Sequence, residues 1–266
     1  MGSQNSAERG RGQRLAGATM KAMHIDDVLD RAHVVSLPLA VRFRGITTRE
    51  ALLIDGPAGW GEFAPFLEYG PAESAAWLRA GLEAAYEGFP EPVRDSIEVN
   101  ATIPAVPASE VPAVVERYPG CRTFKIKVAE KGHTLADDAA RVRAVRDAVT
   151  QRGDIPILRV DANGGWTVDE AVEAAQMMMP LDYMEQPCAT TEELAQVRGR
   201  LMRAGLFVRV AADESIRKVA DPYRVAELQA ADVAVVKPAP LGGVRRVLEV
   251  AQHLRQRHMD ITVASA

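Results

Sequence analysis

Beyond about residue 96, short β-rich runs alternate with helical segments of ten to sixteen residues, and this alternation constrains the fold more than any other feature of the sequence. The strand runs are EVNATI (98–103), TFKIKV (123–128), IPILRVD (155–161), LDYMEQ (181–186), FVRVAAD (207–213), DVAVVKP (232–238) and ITVAS (261–265). Apolar residues at helical spacing fall between them, at about 107–117, 135–150, 167–178, 190–203, 217–228 and 243–257. A parallel sheet built from βα units has this grammar, and the even spacing favours an α/β barrel over an open doubly wound sheet. No GxGxxG or GxxxxGK[ST] follows a strand, which argues against a nucleotide fold. A closed barrel needs eight strands. The seventh run ends next to Ala266, so the expectation is a barrel whose last helix and strand are missing, with two unpaired sheet edges.

The N-terminal part reads differently. Residues 1–20 are rich in Gly, Ser, Arg and Ala, have almost nothing to bury and are expected to be disordered, with Met20 as an alternative start. From Val34 to Ile54 the apolar and alternating runs, broken by Pro38 and Gly45, predict antiparallel strands joined by a loop. GPAGWGEFAPF predicts a turn-rich strand segment, and residues 72–88 a helix ending near Gly88 and Pro90. The domains expected are therefore a small α+β layer over 21–96 and a barrel over 97–266. With a net charge of −4, the chain has no surplus of Lys and Arg to neutralise a phosphate backbone, so nucleic acid is not an expected partner. No apolar run approaches the roughly 18–20 residues of a membrane span and no secretory signal is visible, so the expected compartment is the cytoplasm. Cys121 and Cys188 have no CxxC or His partner at metal-site spacing and read as reduced thiols.

Barrel enzymes carry their reactive groups at the C-terminal ends of strands. Here those ends hold Lys125 and Lys127 on the second run, Asp161 on the third, Glu185 on the fourth, Asp213 and Glu214 on the fifth and Lys237 on the sixth. A K-x-K pair on a strand is most often a solvated edge, and an Asp after a strand is most often the N-cap of the next helix. The ordered set is another matter, because buried carboxylates at successive strand ends require a cation. Asp161, Glu185 and Asp213 lie about one βα unit apart, so their side chains are expected to converge within coordination reach. An all-oxygen set without neighbouring His or Cys suits Mg²⁺ rather than zinc. Period-two alternation puts Lys125 and Lys127 on the same face, with Lys237 arriving from the far side of the mouth. A lysine base needs a lowered pKa, and adjacent lysines and a metal would push it down. Gly242 and Gly243 are expected to start the sixth helix, where their N–H groups could meet a substrate carboxylate.

TFKIKV, VDANGGW, MEQP, ADES and VVKP, in that order, resemble the muconate-lactonising branch of the enolase superfamily over roughly residues 21–266. The resemblance implies an α+β capping domain on a modified (β/α)7β TIM-like barrel. RFRGITTREALLI and GWGEFAPFLEYG look like the two capping loops of the o-succinylbenzoate synthases, the Mg²⁺-dependent dehydratases of menaquinone biosynthesis. That family abstracts a proton α to a carboxylate through an enediolate. Carried onto this chain, the resemblance makes Lys127 the general base, Lys125 its electrostatic neighbour and Asp161, Glu185 and Asp213 the Mg²⁺ ligands. Asn163 and Glu214 would support them. Lys237 would face the other side of a small-molecule carboxylate substrate, with Gly242, Gly243 and Ser265 near its carboxylate or succinyl group and Arg42 and Arg44 closing from the capping loop. Two alternatives stand beside this one. The chain could be a racemase or epimerase of the same branch, acting on N-succinylamino acids or dipeptides with Lys127 and Lys237 as opposed acid and base, or an inactive fragment. Oligomeric state stays open.

Overall fold

A computed structural model describes residues 24–43, 46–217 and 221–265, with the side chains of residues 40–43 excepted. The expectations of disorder at 1–20 and of a start at Met20 lie outside these residues.

A short helix, α1 (Ile25–Leu29), leads into β1 (Ala32–Phe43), β2 (Ile46–Gly56) and β3 (Gly59–Phe63), which form an antiparallel sheet in that order. Helix α2 (Pro71–Leu82), extended by a π-helical turn at Glu83–Glu87, lies against this sheet. The approach is close: a Cβ on Gly61 would sit 2.0 Å from the Gly81 carbonyl oxygen. Trp77 and Phe66 meet edge to face and are buried beneath the layer.

The second unit runs β4 (Ala101–Ile103), a 3₁₀ turn at Ala108–Glu110, α3 (Val111–Val115), β5 (Thr123–Lys127), α4 (Leu135–Gln151), β6 (Ile157–Asp161) and α5 (Val168–Met178). It continues through β7 (Tyr183–Glu185), α6 (Thr191–Arg203), β8 (Arg209–Ala212), α7 (Glu214–Arg217), α8 (Arg224–Glu227), β9 (Val233–Val236), α9 (Pro238–Leu241), α10 (Val244–Arg255) and β10 (Asp260–Val263). All seven expected strands are present, paired in parallel in the order β10-β9-β8-β7-β6-β5-β4. Among the described residues, β4 and β10 are the sheet's two edges. Two helical expectations need correction. The segment 217–228 is not one helix: α7 ends at Arg217, Asp221–Tyr223 are a non-helical turn and α8 covers only Arg224–Glu227, with residues 218–220 outside the description. The segment 107–117 holds only the 3₁₀ turn and α3, because Pro107 and Pro112 cannot donate to a continuous helix.

Alternation along the strands buries both faces of the sheet. Phe124, Ile126, Leu158, Val160, Val210 and Val236 pack against helical residues such as Val142, Val145, Leu194 and Leu254. On the opposite face Tyr183, Ala211, Val233 and Val235 form a separate cluster directly beneath the charged strand ends. None of the described helices is long and apolar enough to cross a membrane.

The two units join at the start of α10. Glu83 is 6% exposed, and its carboxylate accepts hydrogen bonds from the N–H groups of Val244 (2.5 Å) and Arg245 (3.0 Å) and from the Arg245 guanidinium (2.9 Å). A helix start offers unpaired donors and a positive dipole end to such an anion. Gly243, at φ 124°, makes room: a Cβ there would fall 2.0 Å from Glu83 Oε2.

Both cysteines are free. Cys188 is fully buried, and burial first, then the Glu193 and Glu170 carboxylates, pushes its thiol up to about 12. Cys121 is only partly buried. The folded protein is therefore expected to release one equivalent of chromophore from DTNB at pH 8, and the second only in denaturant. Two fast equivalents without denaturant would contradict the placement of Cys188.

Candidate active site

Strand register builds the site. Lys127 lies opposite Asp161, Asp161 opposite Glu185 and Glu185 opposite Ala211, so three charged residues form one row across β5, β6 and β7. Lys125 is one pleat behind Lys127 on the same face, and Asp213 one pleat beyond Ala211. Lys237 follows β9 directly as the N-cap residue of α9. Three of the loops leaving these strands end in the same device, a Thr N-cap paired reciprocally with an acid three residues on: Thr134 with Asp137, Thr167 with Glu170 and Thr190 with Glu193. Each box anchors the far end of a loop whose near end carries a site residue.

The charges interleave. Lys125 Nζ lies 2.8 Å from Glu185 Oε1 and 3.0 Å from Asp161 Oδ2. Lys127 Nζ donates to Asp161 Oδ2 at 2.6 Å and to Asn163 Oδ1 at 2.8 Å. Lys237 Nζ donates to Asp213 Oδ2 at 2.7 Å, while Arg217 Nε donates to Asp213 Oδ1 at 3.0 Å. Asp161, Glu185 and Asp213 are all buried. Burial disfavours the Lys125 ammonium, but the attraction and hydrogen bonds of Glu185 and Asp161 outweigh it and lift that group well above the usual lysine range. Burial also opposes the Asp161 carboxylate, yet Lys125 and Lys127 hold it below its ordinary value. Glu185 is pushed up to about 7, by burial first and then by the Asp161 charge, against the pull of Lys125. Lys125 is adjacent to Lys127 as expected, since both ammonium groups contact Asp161 Oδ2, but the atoms that Lys127 donates to are those of Asp161 and Asn163.

The carboxylates do not converge as tightly as expected. Among the described residues no group of three His, Cys, Asp or Glu side chains is close enough to hold a metal ion, and the carboxylate oxygens are engaged by Lys125, Lys127, Lys237 and Arg217 instead. One oxygen, Glu185 Oε2, is buried with no hydrogen-bond partner, as is Glu214 Oε2. An orphaned buried acceptor costs about 1–3 kcal/mol, more when charged. A dication beside Glu185 would satisfy that atom and offset the repulsion that raises its pKa, and an all-oxygen donor set matches a hard ion. By donor chemistry and by this orphaned oxygen, though not by their spacing as placed, the residues present suit a divalent cation.

The other expected residues divide. Asn163, at φ 47°, joins the site: its N–H donates to Asp161 Oδ1 (3.1 Å) and its side-chain amide to Glu214 Oε1 (3.4 Å). Glu214 also receives Arg217 Nη2 at 2.5 Å. Gly243 is indeed the N-cap of α10, but its N–H donates to the Pro238 carbonyl and the Gly242 N–H to those of Pro238 and Ala239, so neither donor is free for a substrate. The next two donors are taken by Glu83. Ser265 is exposed beyond β10, and none of the hydrogen bonds described here joins it to the cluster. The Arg42 side chain and all of Arg44 lie outside the described residues.

Sequence reasoning missed three residues. Gln186 is fully buried and ties the loops after β7 and β8 together. Arg217 also reaches the Tyr69 hydroxyl of the N-terminal unit, at 3.4 Å. Arg141 is buried with Asp138 at 2.6 Å and donates to the Lys127 carbonyl at 3.0 Å, fixing the end of β5. Only the last left a trace, an opposite-charge pair three residues apart on the face of α4 that also carries Val142 and Val145.

Comparison with known proteins gives two family matches, the enolase N-terminal domain-like family over residues 34–85 and the enolase C-terminal domain-like family over residues 108–266. The o-succinylbenzoate synthase of Mycolicibacterium smegmatis is 57% identical over 245 residues, which make up 91% of this chain and 72% of that protein. Among solved structures, the substrate-liganded L-Ala-D/L-Glu epimerase of Bacillus subtilis superposes with a TM-score of 0.72 at 23% identity, covering 88% of this chain and 81% of the epimerase. A mandelate racemase/muconate lactonizing protein of Roseovarius nubinhibens, complexed with magnesium, superposes at 0.67 with 21% identity over 87% of this chain and 77% of its own. These two likenesses show a shared fold.

Proposed function

We propose, for a chain that belongs to the enolase superfamily and within it to the o-succinylbenzoate synthase family, that its reaction is the dehydration of 2-succinyl-6-hydroxy-2,4-cyclohexadiene-1-carboxylate to 2-succinylbenzoate, a cytoplasmic step of menaquinone biosynthesis. The observation that carries this reading is the row Lys127, Asp161 and Glu185 across three adjacent strands, in a chain 57% identical to a synthase.

On this reading residues 21–96 form the capping domain and 97–266 the barrel domain. Lys127 takes the proton α to the carboxylate and returns it to the departing ring hydroxyl, which leaves as water while the ring becomes aromatic. Lys125, held charged between Glu185 and Asp161, stays an ammonium and contributes its field. Lys237, anchored on Asp213, sets a second cation beside the developing charge. Asn163 aims Lys127 through its side-chain oxygen. Asp161, Glu185 and Asp213 would hold Mg²⁺, which supplies positive charge for the carboxylate oxygens as the proton leaves.

The test follows 2-succinylbenzoate formation by the purified protein with Mg²⁺, after exhaustive EDTA treatment, and after Mg²⁺ is restored. Turnover is expected with the ion, a loss of at least about 100-fold without it, and recovery on readdition. Full activity in metal-free buffer, or no product under any condition, would overturn the reading.

A further inference from the structure

We infer that Gln186 is a positioning residue that sets the distance between Glu185 and Asp213, and through it the affinity of the site for a divalent cation; this rests on the reading of those carboxylates as cation ligands given above. Strand pairing alone does not fix that distance. The register places Glu185 opposite Ala211, and the β8 ladder to β9 ends at Ala212, so Asp213 stands beyond the last paired residue of its strand. Its backbone N–H needs a partner from elsewhere.

Gln186 supplies it. Its Oε1 accepts from the N–H of Asp213 at 3.1 Å and of Ser215 at 3.2 Å. Its Nε2 donates to the Cys188 carbonyl at 2.9 Å and to Ser215 Oγ at 3.0 Å. The main chain of the same residue donates to the Ala211 carbonyl and accepts from the Gly164 N–H, both at 2.7 Å. One fully buried residue thereby binds the ends of β6, β7 and β8 to one another. Only an amide of this length offers an acceptor for two N–H groups and two donors for the oxygens opposite. Its backbone sits at φ 38°, a left-handed conformation that a residue with a Cβ holds only where its surroundings enforce it.

The experiment titrates MgCl₂ alone, by calorimetry, into the full chain as wild type, Gln186→Met, Gln186→Asn and Ser215→Ala, with thermal unfolding recorded for each. Gln186→Met matches the length but bonds to nothing; Gln186→Asn keeps the amide one methylene short and covers the case in which the Met variant fails to fold. Both are expected to weaken Mg²⁺ binding about 10- to 100-fold, the usual range for groups that orient metal ligands. Ser215→Ala leaves both backbone bonds to Oε1 intact and is expected to shift the affinity less than about threefold. Unchanged Mg²⁺ affinity in the folded Gln186 variants, including the case in which only their melting temperature falls, would overturn this inference and leave the proposed function standing. A wild-type protein that takes up no Mg²⁺ would instead overturn the reading of the carboxylates on which it rests.

Discussion

Lys127→Ala is expected to lower turnover about 10³- to 10⁴-fold, close to the full contribution of a positioned acid–base group. Exchange of the substrate's α-proton with D₂O should disappear with it. In the proposed function this role falls to the most exposed of the three lysines. Lys125 and Lys237 side chains are 16% and 11% exposed, whereas Lys127 is 32% exposed at the open end of the row. Lys125 bridges two buried carboxylates that favour its charged form, which leaves it poorly suited to accept a proton. Lys127→Arg should be as inactive as the alanine variant, because a guanidinium keeps the charge but cannot be deprotonated in a protein. Near-normal isotope exchange in Lys127→Ala would transfer the base's role to another group.

Asp138→Ala should destabilise the fold by about 3–5 kcal/mol, since it strands a buried guanidinium. Asp138 and Arg141 are each 1% exposed. The variant also removes the acceptor of the Ala129 N–H, which donates to Asp138 Oδ2 at 2.8 Å at the head of the loop leaving β5. Against a typical total of 5–15 kcal/mol, such a loss would bring the midpoint of urea unfolding down by a large fraction. Arg141→Met combined with Asp138→Leu should recover part of it, because no charge is then left unpaired, although the Val106 and Lys127 carbonyls still lose their donor. A change below about 1 kcal/mol in Asp138→Ala would mean that water or a neighbouring group replaces the carboxylate.

The strand runs and the charges at their ends were legible because both depend on local pattern: apolar residues at period two, then one charged residue where the chain leaves the sheet. Lys127, Asp161 and Glu185 were expected at the ends of successive strands, and the register sets them in one row. How these charges pair was not legible. Which oxygen faces which ammonium depends on distances between strands, and the lysines settle against the carboxylates that were expected to face a metal. Gln186 was hidden for a related reason: a buried amide contributes to no apolar period, and its partners lie two and more residues beyond it and on the next strand. The N-terminal unit yielded its strands and its main helix, but α1 was missed, since IDDVL is five residues with a single buried side chain.

The carboxylate of Glu83 at the head of α10 bears on how far the two units can be exchanged between related proteins. Gly243 leaves a notch that only an acid from the other unit fills, and nothing within α10's own first turn caps its N–H groups. A chimera pairing this barrel with a foreign N-terminal unit would therefore need an acidic side chain at the equivalent of Glu83. A neutral residue there would leave an open groove and two bare amides at the seam, and a bulkier residue at the equivalent of Gly243 would hold the two halves apart. The compatible recombinants among its relatives should be those in which acid and glycine are inherited together.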